Sequence, residues 1–182
     1  IRFTILAPHQ AKRFRASSKE GWTDLNPGSI DPSRPYKCHL SHGRTIVLFF
    51  YDAPVSHSIA FEQLLNNGEN LKDRLLGGFT NHRSWSQIVH IATDGESYGH
   101  HHRFGEMALA YALEQLLEEP DVHLTNYAEY LAKHPPRAEV VIAEKSSWSC
   151  AHGVGRWQED CSCSISQRPD WNQKWRKPLR TA

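Results

Sequence analysis

The sequence predicts an α/β fold with a mainly parallel sheet. Three observations carry this. Apolar runs of strand length recur at residues 1–7, 36–40, 44–51, 87–93 and 139–143. Segments with apolar residues at helical spacing lie between them. Most strand-like runs also give way to polar, turn-favouring residues, as strand ends do in such folds.

The elements follow in order. Residues 1–7, with Phe3, Ile5 and Leu6, read as a buried strand ending at Ala7-Pro8-His9-Gln10. Residues 11–35 are polar and rich in turn formers, so a long loop is expected, with at most one helical turn near 11–15. Residues 36–40 and 44–51 flank Ser41-His42-Gly43, a hairpin signal. The second run is apolar on both faces, as a fully buried strand is. Asp52-Ala53-Pro54 breaks it, and Ser56 is expected to cap a helix carrying Ile59, Phe61, Leu64 and Leu65, ending near 66–68. A second helix covers 69–76 and stops at Gly77-Gly78. Residues 87–93 form the next strand. Residues 103–119 carry the stripe Phe104, Met107, Ala108, Tyr111, Ala112, Leu116 and Leu117, a helix ended by Pro120. Thr125 or Asn126 caps a short helix over 127–134, and 139–143 is the last strand. Residues 145–182 are rich in Trp, Ser and Cys, with few periodic apolar positions. Two parts are therefore expected: an α/β domain over 1–144, and a polar C-terminal segment over 145–182 packed on it.

Composition excludes several classes. The 182 residues suit one domain or part of one. A net charge of +1 argues against nucleic-acid or anionic-membrane binding driven by bulk charge. No apolar run approaches the roughly 18 residues of a membrane span. Four cysteines are too few for a disulfide scaffold, and no signal-peptide pattern is present, so a cytoplasmic protein is expected. The chain opens on strand residues without an initiator Met, and is read as a fragment of a longer protein.

The stretch richest in chemistry is Ile91-Ala92-Thr93-Asp94-Gly95-Glu96-Ser97-Tyr98-Gly99-His100-His101-His102. It follows an apolar strand and offers two carboxylates two residues apart, turn-permitting glycines and three histidines. A carboxyl group in a partly dry pocket can serve as a general acid near neutral pH. A lone Asp-Gly-Glu would more simply be a loop in which Asp94 caps a helix. Three consecutive histidines at a strand's mouth favour a functional site.

Asp-Gly-Glu-x-x-Gly-His after an apolar strand resembles the fourth conserved region of glycoside hydrolase family 57, whose members act on α-glucans. The run Phe3 to His9 resembles the strand and His-containing turn that follow the nucleophile in that family. Phe-Tyr-Asp-x-Pro-x-Ser (50–56) and Trp-Ser-Cys-x-His-Gly (148–153) resemble a less studied branch of it. The resemblance implies the C-terminal part of an incomplete (β/α)7 barrel from a retaining glycoside hydrolase or transglycosidase. It implies Asp94 as general acid/base, and His9, Glu96 and His100 lining the sugar site. Trp148 and His152, which follow the last predicted strand, are added as substrate contacts. An oligo- or polysaccharide of the α-glucan type is the expected partner.

A retaining mechanism needs two carboxyls roughly 5–5.5 Å apart. The family's nucleophile is a Glu on a strand preceding the one that opens this chain, and no equivalent Glu is found here. The isolated chain is therefore expected to be inactive.

Two other readings compete. In a metal-dependent, deacetylase-like hydrolase, Asp94 and two of His100, His101 and His102 would be ligands, although adjacent histidines on one turn rarely face one metal. In a non-catalytic carbohydrate-binding module, the Trp-rich tail would bind the glycan. Trp22, Trp148 and Trp157 are candidates to stack on sugar, whereas Trp171 and Trp175, four apart, read as packing residues. Cys150, His152, Cys161 and Cys163 offer zinc-type donors, but their spacing fits no standard signature, and reduced, partly buried thiols are the simpler reading. No cofactor or metal is expected.

Overall fold

The structure, a computed structural model, describes residues 1–161, 163 and 172–181. Six strands form one sheet in the order β1-β5-β4-β6-β2-β3. They are β1 (Phe3–Leu6), β2 (Ala11–Arg15), β3 (Thr23–Asp24), β4 (Tyr36–His39), β5 (Thr45–Phe50) and β6 (Ala138–Ile142). β1 runs parallel to β5 and β4 parallel to β6, while β4–β5, β6–β2 and β2–β3 are antiparallel. The sheet is thus mixed, not mainly parallel.

The predicted hairpin forms as β4 and β5, with Cys38 opposite Ile46. Its tight turn puts His42 at φ 60°. β5 is buried only over Leu48, Phe49 and Phe50, so its first half is more open than its composition suggested. Phe49 is fully buried and meets Phe3, His90, Tyr127 and Tyr130 in edge or tilted ring contacts. Such pairs add to the area they bury.

The expected long loop over 11–35 contains β2 and β3 instead. β2 is polar, but its charges have partners on neighbouring strands. Arg15 Nε donates to Glu139 Oε2 at 3.0 Å, and His39 Nε2 lies 3.1 Å from the same oxygen. Glu139 is only 5% exposed, and hydrogen bonding to Arg15 keeps its carboxyl below the ordinary range. Arg13 and Arg15 sit 5.0 and 4.8 Å from the Trp22 ring centroid. Ion pairing and cation–π contact here replace the apolar alternation that marks a strand.

Residues 87–93 were expected as a strand, yet they join no ladder among the described residues. Ile88 and His90 are still buried in alternation. The backbone is satisfied elsewhere: Ile88 N–H donates to Ser33 O, Asp52 N–H to His90 O, and Ala92 N–H to Ser56 Oγ.

Six helices are described: α1 (Ala53–Phe61), α2 (Gly68–Leu76), α3 (Gly105–Leu117), α4 (Tyr127–Lys133), α5 (Gly155–Gln158) and α6 (Arg176–Thr181). α1 begins before Ser56, because Asp52 caps it by accepting from Val55 N–H at 3.0 Å. Pro54 fits the first turn, where its missing N–H costs nothing. Ser56 is an interior residue whose hydroxyl donates to Asp52 O. Leu64–Asn66 form a separate 3-10 turn rather than the end of α1. Asn67 and Asn126 cap α2 and α4. On α3 the predicted stripe divides. Ala108, Ala112 and Leu116 are buried, while Phe104 before the helix and Met107, Tyr111 and Leu117 on it are exposed. No helix is long and apolar enough to cross a membrane among the described residues. Trp171 lies outside the described residues, and Trp175 is exposed in the turn before α6.

Candidate functional site

Hydrogen bonds link four chain segments in sequence around the turn after β1 and the end of β5. Leu6 and Phe50 end parallel neighbours, and Tyr51 N–H donates to Leu6 O. Asp52 N–H donates to His90 O, which ties the Asp94 arm to the end of β5. Ala143 N–H donates to Gln10 O, which ties the segment after β6 to the turn after β1. The rim therefore reads, in spatial order, residues 143–148, 7–10, 51–52 and 90–94.

The turn after β1 is a 3-10 turn over Pro8–Gln10. Gln10 is buried and braces it: its Oε1 accepts from Ala7 N–H, and its Nε2 donates to Ser146 Oγ. His9 is exposed, with Nε2 2.8 Å from Ser147 O. A carbonyl oxygen only accepts, so Nε2 carries the proton and Nδ1 is left unprotonated in the neutral ring.

Asp94 stands immediately before the 3-10 turn Gly95–Ser97. Its backbone carbonyl accepts from Ser97 N–H, but its carboxylate makes no capping hydrogen bond and is exposed. The backbone around it is well tied. Glu96 O accepts from His101 N–H at 2.8 Å, and Gly99 N–H donates to His102 O. Thr93 Oγ1 meets Tyr98 Oη at 2.9 Å, and His102 Nε2 donates to Ala60 O at the end of α1. Gly99 lies at φ 109°, where a side chain would be strained and would meet Glu106 Oε2. Glu96 and His100 are exposed on this loop, and the His100 and His101 rings meet in a tilted contact with centroids 4.9 Å apart.

The three histidines do not converge. Among the described residues, Asp94 and His100 to His102 bring no three donor atoms together, so the deacetylase-like reading gains nothing from the geometry. The group that does converge comprises Cys150, His152, Cys161 and Cys163, whose donor atoms all lie within 4.8 Å of one another. The cysteines are free thiols, as expected, and three of them are clustered around His152. The Cys163 backbone N–H pulls the Cys161 thiol below its usual value, and hydrogen bonds to the Cys150 and Cys161 thiols push Cys163 up to about 11. His152 therefore lies among sulfurs. Trp148, two residues before Cys150, is 63% exposed next to the Ser147 carbonyl that His9 holds. Trp22 carries guanidinium groups against its ring, and Trp157 is exposed on α5.

Two cavities, of about 620 and 540 Å³, are lined by other residues. The smaller lies among α3, α4 and residues 87–91 and is mostly apolar. Neither includes Asp94, Glu96, His9, His100, Trp148 or His152.

Two contributors to the rim carried no role in the sequence reading. Tyr51 is half-buried, and burial raises its hydroxyl's pKa. His90 is buried, with Nδ1 3.0 Å from Tyr127 Oη and Nε2 3.2 Å from Pro32 O. Burial pushes it down to about 4, so it is neutral at pH 7. The Phe-Tyr-Asp run was the available signal for Tyr51. His90 is a satisfied core histidine.

The chain belongs to glycosyl hydrolase family 57, whose model matches residues 5–143. The match takes in His9, Asp94, Glu96 and His100 and stops before Trp148 and His152. Two solved structures are similar in fold. A 4-alpha-glucanotransferase from Thermococcus litoralis is 19% identical, with a TM-score of 0.54 over 80% of this chain and 21% of that one. An exo-type maltose-forming amylase from Pyrococcus sp. ST04 is 14% identical, with a TM-score of 0.62 over 98% of this chain and 32% of that one. The chain thus spans about a fifth and a third of these two proteins. No curated protein sequence matches it.

Proposed function

We propose that this chain is part of the barrel of a retaining glycoside hydrolase or transglycosidase acting on α-glucans, with Asp94 as its general acid/base. The observation that carries the reading is the Asp94 loop itself. It lies within the family match, its backbone is fixed on both sides, and its carboxylate has no partner among the described residues. A proton-transfer group needs that combination of a held position and an unengaged oxygen. Glu96 and His100 on the same loop, and His9 and Trp148 across the rim, line the sugar site. Residues 1–144 form the partial barrel, and the segment from 145 packs on it through its described residues.

The nucleophile comes from outside these residues. β1 has a neighbour on one side only among the described residues, and the chain spans a minor part of its structural neighbours. A further strand on the free edge of β1 would bring a Glu beside the Asp94 rim, as a two-carboxylate mechanism requires. The isolated 182-residue chain is therefore inactive on glucans.

The test uses the enzyme with its complete barrel. Asp94→Ala lowers turnover on an α-glucan by about 10³-fold. The loss is far smaller on a glycosyl fluoride, whose leaving group needs no proton. Equal losses on both substrates, or unchanged turnover on the α-glucan, refute the assignment.

A further inference from the structure

The proposed chemistry does not use the thiol–imidazole cluster after β6. Its geometry is specific. Cys150 Sγ lies 3.5 Å from Cys163 Sγ and 3.6 Å from His152 Nδ1, and His152 Nδ1 lies 3.2 Å from Cys163 Sγ. With Zn–S near 2.3 Å and Zn–N near 2.0–2.1 Å, a tetrahedral zinc spaces two sulfurs about 3.8 Å apart and a sulfur and a nitrogen about 3.6 Å apart. The three distances fall within a few tenths of an ångström of those edges. A disulfide would need about 2.05 Å, and all four cysteines of the chain are free thiols.

The local chain explains how four donors converge. Cys150-x-His152 and Cys161-x-Cys163 each present two donors one residue apart. The first pair sits in a turn closed by Gly153 N–H donating to Cys150 O and Val154 N–H donating to Lys145 O. Gly153 has φ 60°, and a Cβ there would lie 2.0 Å from Lys145 O. The one-turn helix α5 then carries the chain round to the second pair.

We propose that Cys150, His152, Cys161 and Cys163 bind one Zn²⁺. All four positions are protein side chains, so the site is closed and structural, with no vacancy for water or substrate. Binding releases the three thiol protons to solvent, so affinity falls with pH. His152 is then a metal ligand rather than a sugar contact. The ion anchors the segment that holds Trp148 and the Ser147 carbonyl against His9. The site stands independently of the role given to Asp94.

The test uses the full-length protein purified without chelator under reducing conditions. About one zinc per chain is expected, falling to below about a tenth in the Cys161→Ser/Cys163→Ser double variant. Cobalt bound to the wild type gives thiolate charge-transfer absorption and intense tetrahedral bands. In His152→Cys the charge-transfer intensity rises by about one third, as three thiolates become four. Zinc content is unchanged in Asp94→Asn. Failure of the wild type to take up zinc or cobalt overturns the proposal, whatever the variants do. So does a Cys150–Cys163 disulfide in the native protein, or full zinc retention in the double variant.

Discussion

The Asp94 loop and the segment after β6 leave the same rim, yet they are held in opposite ways. Around Asp94 the backbone makes the bonds: Ser97 to Asp94, His101 to Glu96, Gly99 to His102. The carboxylate is left over. Around Cys150 the side chains make the bonds, with three sulfurs and a ring nitrogen turned on one another. A group that moves a proton must be positioned by its neighbours and remain unengaged, whereas a group that holds structure is fully engaged. The family match follows the same division, including the first region and ending at residue 143, before the second.

After the Asp94→Ala substitution, the largest effect is expected at Gly153. An alanine there must adopt φ 60° and displace the Lys145 carbonyl, whose bond with Val154 N–H closes the turn. Gly153→Ala should cost at least about 2 kcal/mol, combining the left-handed penalty with the overlap. A lowered denaturation midpoint, with cleavage by protease appearing first in residues 145–163, is the expected result. A wild-type midpoint would remove the turn from the list of structural elements and weaken the contrast between the two regions.

Acid sharpens the comparison from the other side. His90 braces the Asp94 arm as a neutral ring, its pKa pushed down to about 4 from the usual 6.5. The unfolded chain therefore takes up this proton at a higher pH than the folded one. The contribution is complete above about pH 6.5, is lost progressively as pH falls, and is gone below about pH 4, for a total of about 3 kcal/mol. By pH 5 the wild type should have lost about 2 kcal/mol more than His90→Phe, in which this titration is absent. Urea melts of both proteins at pH 7 and pH 5 measure the difference, and parallel losses would mean the ring is not held neutral.

Where the sequence could be read and where it could not has a physical cause. The β4–β5 hairpin, α2, α4 and β6 are announced by local signals: a short turn, an Asn cap, an apolar run. β2 is not, because Arg13 and Arg15 are strand residues only by virtue of Trp22 and Glu139, 7 to 124 positions away. Residues 87–93 have the strand's alternation but not its ladder, because their backbone groups bond to Ser33, Asp52 and Ser56. On α3 the helical period was correct, but which half of the stripe is buried depends on neighbours that the period does not encode. The Asp94 loop was readable through its motif. The thiol cluster was readable only as a list of donors, since its spacing matches no standard pattern and only the turn at Gly153 brings the pairs together.

The smallest effect is expected at Ser56, where stability and function should separate. Its hydroxyl donates to Asp52 O and accepts from Ala92 N–H, joining the cap of α1 to the arm that ends in Asp94. Ser56→Ala removes both bonds inside a buried site and leaves the Ala92 N–H without a partner. A cost of about 1–2 kcal/mol follows for the fold. The arm then loses its tie through Ala92 N–H and keeps the Asp52 N–H bond to His90 O, and Asp94 lies only two residues beyond Ala92. In the enzyme with its complete barrel, kcat on an α-glucan should fall about tenfold while KM changes little, if Asp94 has the proton-transfer role proposed for it rather than one in holding sugar. Ser56→Thr, which keeps the hydroxyl, should recover most of the rate. A KM increase at constant kcat would instead place the arm in substrate binding and move the acid/base role away from Asp94.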